Sequence, residues 1–158
     1  MSNTKKEFTH LSKDDLPRMV DVSEKTKTNR KAIAMARVHL GKEIAELLKN
    51  KKNTKKGPVI ETAVIAGIQG AKKTSELIPM CHPLILNEVS VKIKIEGEHA
   101  VINVTAKTND RTGVEMEALT ASSISELDAI PVEIIIGLPV AATFLINGIC
   151  IFSKDAIL

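Results

Sequence analysis

Aromatic residues are almost missing from this chain: no Trp, no Tyr and three Phe in 158 residues. Proteins that hold single-stranded nucleic acid stack bases on aromatic rings and track the backbone with a basic stripe. Here the rings are lacking and the net charge is only +3, from 22 basic against 19 acidic residues. No nucleic-acid partner is expected. Cysteine is scarce too, and Cys81 and Cys150 are too few for a disulfide framework or a four-ligand zinc site. The four histidines (10, 39, 82 and 99) show no HxxxH or HxH spacing, so no metal is expected. The opening stretch, MSNTKKEFTHLSKDDL, is polar and charged rather than a signal peptide. A cytoplasmic protein is the expectation.

What is present is 44% apolar content in a length suited to one domain with a real core. Residues 1–18 read as a flexible N-terminal arm. Residues 19–30 read as a loop closed by Thr28-Asn29-Arg30. A strand follows over 31–40, with Ile33, Met35, Ala36, Val38 and Leu40 as its apolar set. Ile44, Leu47 and Leu48 predict a short amphipathic helix over 42–50. Lys51 to Gly57 is a basic loop, and Pro58 suits the first turn of a helix over 58–76. Gly67 and Gly70 give that helix a flat face against which something can pack. The clearest hairpin alternates Val89, Val91, Ile93 and Ile95 with polar residues, turns at Gly97-Glu98 and returns through Ile102, Val104 and Ala106. A polar loop over 107–113 leads into a third helix over 114–127. The order predicts an α+β sandwich: an antiparallel sheet with helices on one face.

Three polar stretches interrupt the apolar pattern: the loop ending Lys55-Lys56-Gly57, PMCHPL at 79–84 and DRTGVEMEAL at 110–119. Glu115 and Glu117 share a face only if the chain there is extended, which Thr112-Gly113 suggests. Plainer readings stay open. Paired Glu at a helix start complement its dipole, His82 can be a turn residue held by hydrogen bonds, and Lys56 can be solvated. Cys81 beside His82 is a poor dyad, because sequence neighbours rarely point side chain to side chain; Cys81 reads as a small buried residue.

The literal strings carry more. MVDVS at 19–23, AGIQGAKKTSELIPMCHPL at 66–84 and TGVEMEALTA at 112–121 resemble the signatures of the cyclic pyranopterin monophosphate synthase family of molybdenum-cofactor biosynthesis. The resemblance covers roughly residues 8–127. It implies a ferredoxin-like α+β sandwich and a lyase that acts without metal or other cofactor. The substrate would be a cyclised dihydro-GTP, supplied by an upstream radical-SAM enzyme. The products would be cyclic pyranopterin monophosphate and pyrophosphate. It also implies a homo-hexamer, a trimer of dimers, with the pocket between subunits. Matched motif to motif, the catalytic positions are Lys56, His82, Glu115 and Glu117. The substrate-contacting ones are Met80, Cys81, His82, Met116 and Glu117, with Arg30 and Lys72 at basic positions. Ring opening and reclosure require proton transfers, and a triphosphate requires cations.

After Leu127 the likeness stops. The family's catalytic aspartate and lysine fall in ungapped register on Pro131 and Ile134; Asp128, three residues early, is the nearest acid and the remaining candidate. Residues 129–158 hold three charged residues (Glu133, Lys154, Asp155) against 38 in the 128 before them, a break that reads as an altered frame or a foreign C-terminus. Residues 134–152 are nineteen without charge, near the length of a bilayer span. Gly137, Pro139, Asn147 and Gly148 interrupt them, so a replacement strand on the sheet or an aggregation-prone tail is preferred to a membrane anchor. The organisation expected is thus an arm (1–18), a synthase-like domain (19–127) and a divergent apolar segment (128–158). A catalytically impaired scaffold that keeps its ligand pocket is the alternative function.

Overall fold

The computed structural model describes residues 10–12, 14–50, 57–129 and 150–153. The elements run β1 (Thr28–His39), α1 (Lys42–Lys49), α2 (Val59–Lys72), α3 (Thr74–Leu77), β2 (Leu86–Glu96), β3 (His99–Asp110), α4 (Glu115–Ala129) and β4 (Cys150–Ser153). The sheet order is β2-β3-β1-β4, with every neighbouring pair antiparallel. This is the ferredoxin-like arrangement, with α2 and α4 packed together and α4 lying on β1 and β3.

The alternation of β1 explains its place. Ala32, Ala34, Ala36, Val38 and Leu40 are buried at 5% exposure or less, while Ile33 and Met35 face outward, over a third exposed. The predicted apolar set therefore mixed both faces: the buried row is mostly alanine, which lets the helices approach the sheet closely. Ile102, Val104 and Ala106 from β3 and Val91 from β2 join them in the core, with Ala45, Leu48, Ala71, Ala118 and Ala121 from the helices. β1 begins at Thr28, so Arg30 belongs to the sheet and not to the preceding loop; likewise β3 runs on to Asp110 and shortens the predicted 107–113 loop.

Gly97 has φ +61 and Glu98 does not share it. A two-residue connection with a left-handed glycine first is the II′ hairpin turn, whose twist matches the strands. On the helical layer, Gly67 faces the Ala121 carbonyl and Ser125 of α4, and Gly70 faces Ile124. A Cβ at either would overlap those atoms, so the flat face read from the sequence is the α2–α4 seam. β4 pairs with Ala32–Met35 of β1. The late apolar segment thus supplies a strand at the sheet edge, as the replacement-strand reading expects. No helix among the described residues is long and apolar enough to cross a membrane; most of 134–152 lies outside them.

Candidate active site

The LIPMCHPL stretch is built on a tight turn. The Cys81 amide donates to the Ile78 carbonyl at 3.3 Å, Pro79 is second in the turn, and Met80 is third with φ +66. Proline then a left-handed residue is the type II pattern, which normally takes Gly at the third place. A Met there costs about 1–2 kcal/mol and presents a long side chain that Gly would not. The turn carries Met80, Cys81, His82 and Leu84 onto one wall of a cavity of about 220 Å³.

The other wall is the start of α4. Thr112, Gly113, Met116 and Glu117 line it, and His10 also borders the cavity. Glu117 is 4% exposed. Burial raises its pKa above the usual carboxylate range, and the neighbouring Glu115 adds to the rise. Burial, and then Glu117, also raise the Cys81 thiol, which keeps it away from the thiolate form. The Glu115 carboxylate lies over Gly113, in the place a side chain at 113 would need. The two glutamates therefore sit in the first turn of a helix, not on an extended segment; Glu117 enters the cavity and Glu115 folds back from it. His82 Nε2 is 2.8 Å from the Val20 carbonyl. Beside it, Asp21 Oδ1 accepts from the Ser23 amide at 2.9 Å and from Ser23 Oγ at 2.6 Å. Those two bonds, with smaller help from Arg111 and His82, hold the Asp21 carboxyl below its usual range. A carboxyl whose pKa is raised by burial and an imidazole lining the same cavity can give and take protons.

A second cavity of about 470 Å³ has Arg30, Lys31, Lys107, Asn87 and Asn109 among its lining. Arg30 is paired with Thr108 across β1–β3, and its Nε is buried without a hydrogen-bond partner among the described residues. Arg111 Nε is in the same condition. A buried guanidinium nitrogen left unpaired is costly unless a ligand completes it. Lys107 is held by Glu88 at 2.6 Å, and Asn109 donates to Asn29 at 2.7 Å. Asn87 sits at a register break of β2, between Leu86 and Glu88; such bulges re-aim side chains beside sites. The arrangement suits an anion.

The structure thus brings together Met80, Cys81, His82, Met116 and Glu117. Arg30 belongs to the second cavity. Lys72 is exposed in the last turn of α2 and lines neither. Lys56 lies outside the described residues. Asp128 is in the last turn of α4, and its side chain lies outside the described ones. Among the described residues no cluster of three or more His, Cys, Asp or Glu could hold a metal. Sequence reasoning missed Asn87, Lys107, Asn109 and Arg111, for which single polar letters gave no signal. It also gave no role to Val20, Asp21 and Ser23, although the MVDVS string had drawn notice.

Residues 19–130 match the MoaC family. The cyclic pyranopterin monophosphate synthase of Helicobacter pylori strain HPAG1 is 50% identical over 122 residues, covering 76% of this chain and 77% of that protein. The synthase of Streptomyces griseus is 46% identical over 128 residues, 81% of this chain and 72% of its own. That of Peptoclostridium acidaminophilum is 44% identical over 121 residues, 77% and 76% respectively.

Proposed function

The chain belongs to the MoaC family, and from that premise we propose that it is a cyclic pyranopterin monophosphate synthase, a lyase of molybdenum-cofactor biosynthesis. Its substrate is 3′,8-cyclo-7,8-dihydroguanosine triphosphate, and its products are cyclic pyranopterin monophosphate and pyrophosphate. The observation that carries this reading is that His82 and a buried Glu117, its pKa raised by burial, line one cavity. The rearrangement opens and recloses rings, and each such step moves a proton that these two groups can supply or accept. Met80 and Met116 bound the same cavity and offer apolar contact to a purine-derived ring. Glu115 acts by shaping the start of α4 over Gly113. Arg30, with its unpaired Nε, takes a phosphate oxygen. Lys56, directly before Gly57 in the sequence, is a further catalytic position.

The finer context follows from the same premise. The protein works as a hexamer built as a trimer of dimers, in the cytoplasm, on substrate delivered by a radical-SAM enzyme. The family match ends at residue 130, which supports a boundary near Leu127 between the synthase-like domain and the divergent segment. A second reading has its own observation: Pro131 and Ile134 stand where the family's aspartate and lysine are expected, and Asp128, the nearest acid, falls three residues early. On that reading the chain binds the ligand without turning it over. Incubation with the cyclised dihydro-GTP decides between them. Pyrophosphate release above a no-enzyme control supports the synthase, calorimetric binding without release supports the scaffold, and neither binding nor release overturns both.

A further inference from the structure

The ring of His82 has one fixed partner. Its Nε2 lies 2.8 Å from the main-chain oxygen of Val20. A carbonyl oxygen only accepts, so Nε2 must carry the hydrogen. A neutral imidazole has a single N–H, so the lone pair is on Nδ1. Among the described residues Nδ1 has no protein partner, and His82 borders the cavity that Glu117 enters. The peptide that offers the Val20 oxygen is itself held. Asp21 Oδ1 takes both the amide and the hydroxyl of Ser23, closing an Asx turn directly after Val20.

We propose that the Val20–Ser23 turn is a tautomer clamp for His82, with Asp21 as its positioning residue, and that Nδ1 is the nitrogen that exchanges a proton with the ligand. The proton balance is simple. The Nδ1 lone pair takes a proton from a ligand N–H, O–H or C–H, and the ligand keeps the bonding electron pair. The resulting imidazolium keeps its Nε2–H on Val20 and stands near the Asp21 carboxylate. Return of the Nδ1 proton to the ligand restores the neutral ring. Asp21 touches no ligand in this scheme; it acts through the Val20 carbonyl. The identity of the ligand rests on the synthase reading above, whereas the tautomer does not.

The test is a long-range proton–nitrogen spectrum of the ¹⁵N-histidine-labelled full chain, recorded above the imidazole titration, with His82 assigned by its loss in His82→Gln. The expected result is a pyrrole-type Nε2 and a pyridine-type Nδ1. The opposite pattern overturns the clamp. In Asp21→Ala the two nitrogens should move toward the averaged shifts of an unclamped imidazole. Asp21→Asn, whose amide oxygen can still accept from Ser23, should keep the wild-type pattern and guards against a variant that merely fails to fold. An unchanged tautomer in folded Asp21→Ala overturns the role of Asp21. Kinetically, Asp21→Ala should lower kcat about tenfold or more with little change in KM; a loss confined to KM counts against the clamp. A clamped tautomer in a chain that releases no pyrophosphate would sink the synthase reading and leave this inference standing.

Discussion

The two cavities near one end of the sheet differ in what they do with charge. The cavity under the Pro79–Met80 turn is small and lined by Met80, Leu84 and Met116, with Glu117 buried and pushed toward its neutral form. The cavity around Arg30 is roughly twice as large, lined by amides and cations. Low polarity in the first raises the carboxyl's pKa, the direction a general acid needs. Polarity in the second favours permanent charge, which is what phosphate recognition needs. The polar end of β3 and the loop after it, Lys107 to Gly113, contribute to both. On the proposed function, proton work and anion binding fall to neighbouring but distinct surroundings.

Breaking the first environment should have the largest effect. His82→Ala and Glu117→Gln should each lower kcat by about 10²–10⁴-fold in a pyrophosphate-release assay. Breaking the second should act on binding. Arg30→Ala should weaken ligand affinity by about 10–100-fold, with a loss that shrinks as salt rises. Arg30→Lys should rescue little of it, because a lysine cannot supply the guanidinium fork.

The comparison sharpens with stability. Gly67→Ala touches neither cavity but forces a methyl group into Ser125 and the Ala121 carbonyl. It should cost about 1–3 kcal/mol in denaturant unfolding. Glu117→Gln should do the reverse, in a pH-dependent way. The folded-state pKa of Glu117 lies above its ordinary 4.5, so the folded chain binds that proton more tightly than the unfolded chain. The cost of burying the charge is absent below about pH 4.5 and grows as pH rises through the folded value. The variant should therefore be more stable than wild type at neutral pH, and the gap should close on acidification. The smallest effect is expected at Met80, where Met80→Gly should stabilise the fold by about 1 kcal/mol while removing one side chain from the cavity wall.

The hairpin was legible because strict alternation over Val89–Ile95 has one structural meaning. The Gly67/Gly70 face was legible because two glycines one helical turn apart leave room only for a close neighbour. Ile33 and Met35 misled, because large apolar residues were taken as the core when the alanines between them were. A buried alanine row carries little hydropathy; its meaning lies in how close a helix can come. For Glu115 and Glu117 the sequence leaves an extended segment and a helix start both open; α4 begins at Glu115, which decides for the helix start. The family motifs mark the loop and the helix start that line one cavity. It could not separate Arg30 and Lys72 from the His82 cavity, since sequence proximity to a motif does not state which side of a strand or helix faces it. The Val20 carbonyl has no side-chain letter at all, so only coordinates could reveal it.

The division between the two cavities is tested most directly by calorimetric titration of inorganic pyrophosphate into wild type, Arg30→Ala and Glu117→Gln under one salt condition. We expect affinity to fall at least about tenfold in Arg30→Ala and to stay at the wild-type value in Glu117→Gln. An equal loss in both variants, or a loss in Glu117→Gln alone, would contradict the assignment of anion binding to the Arg30 cavity.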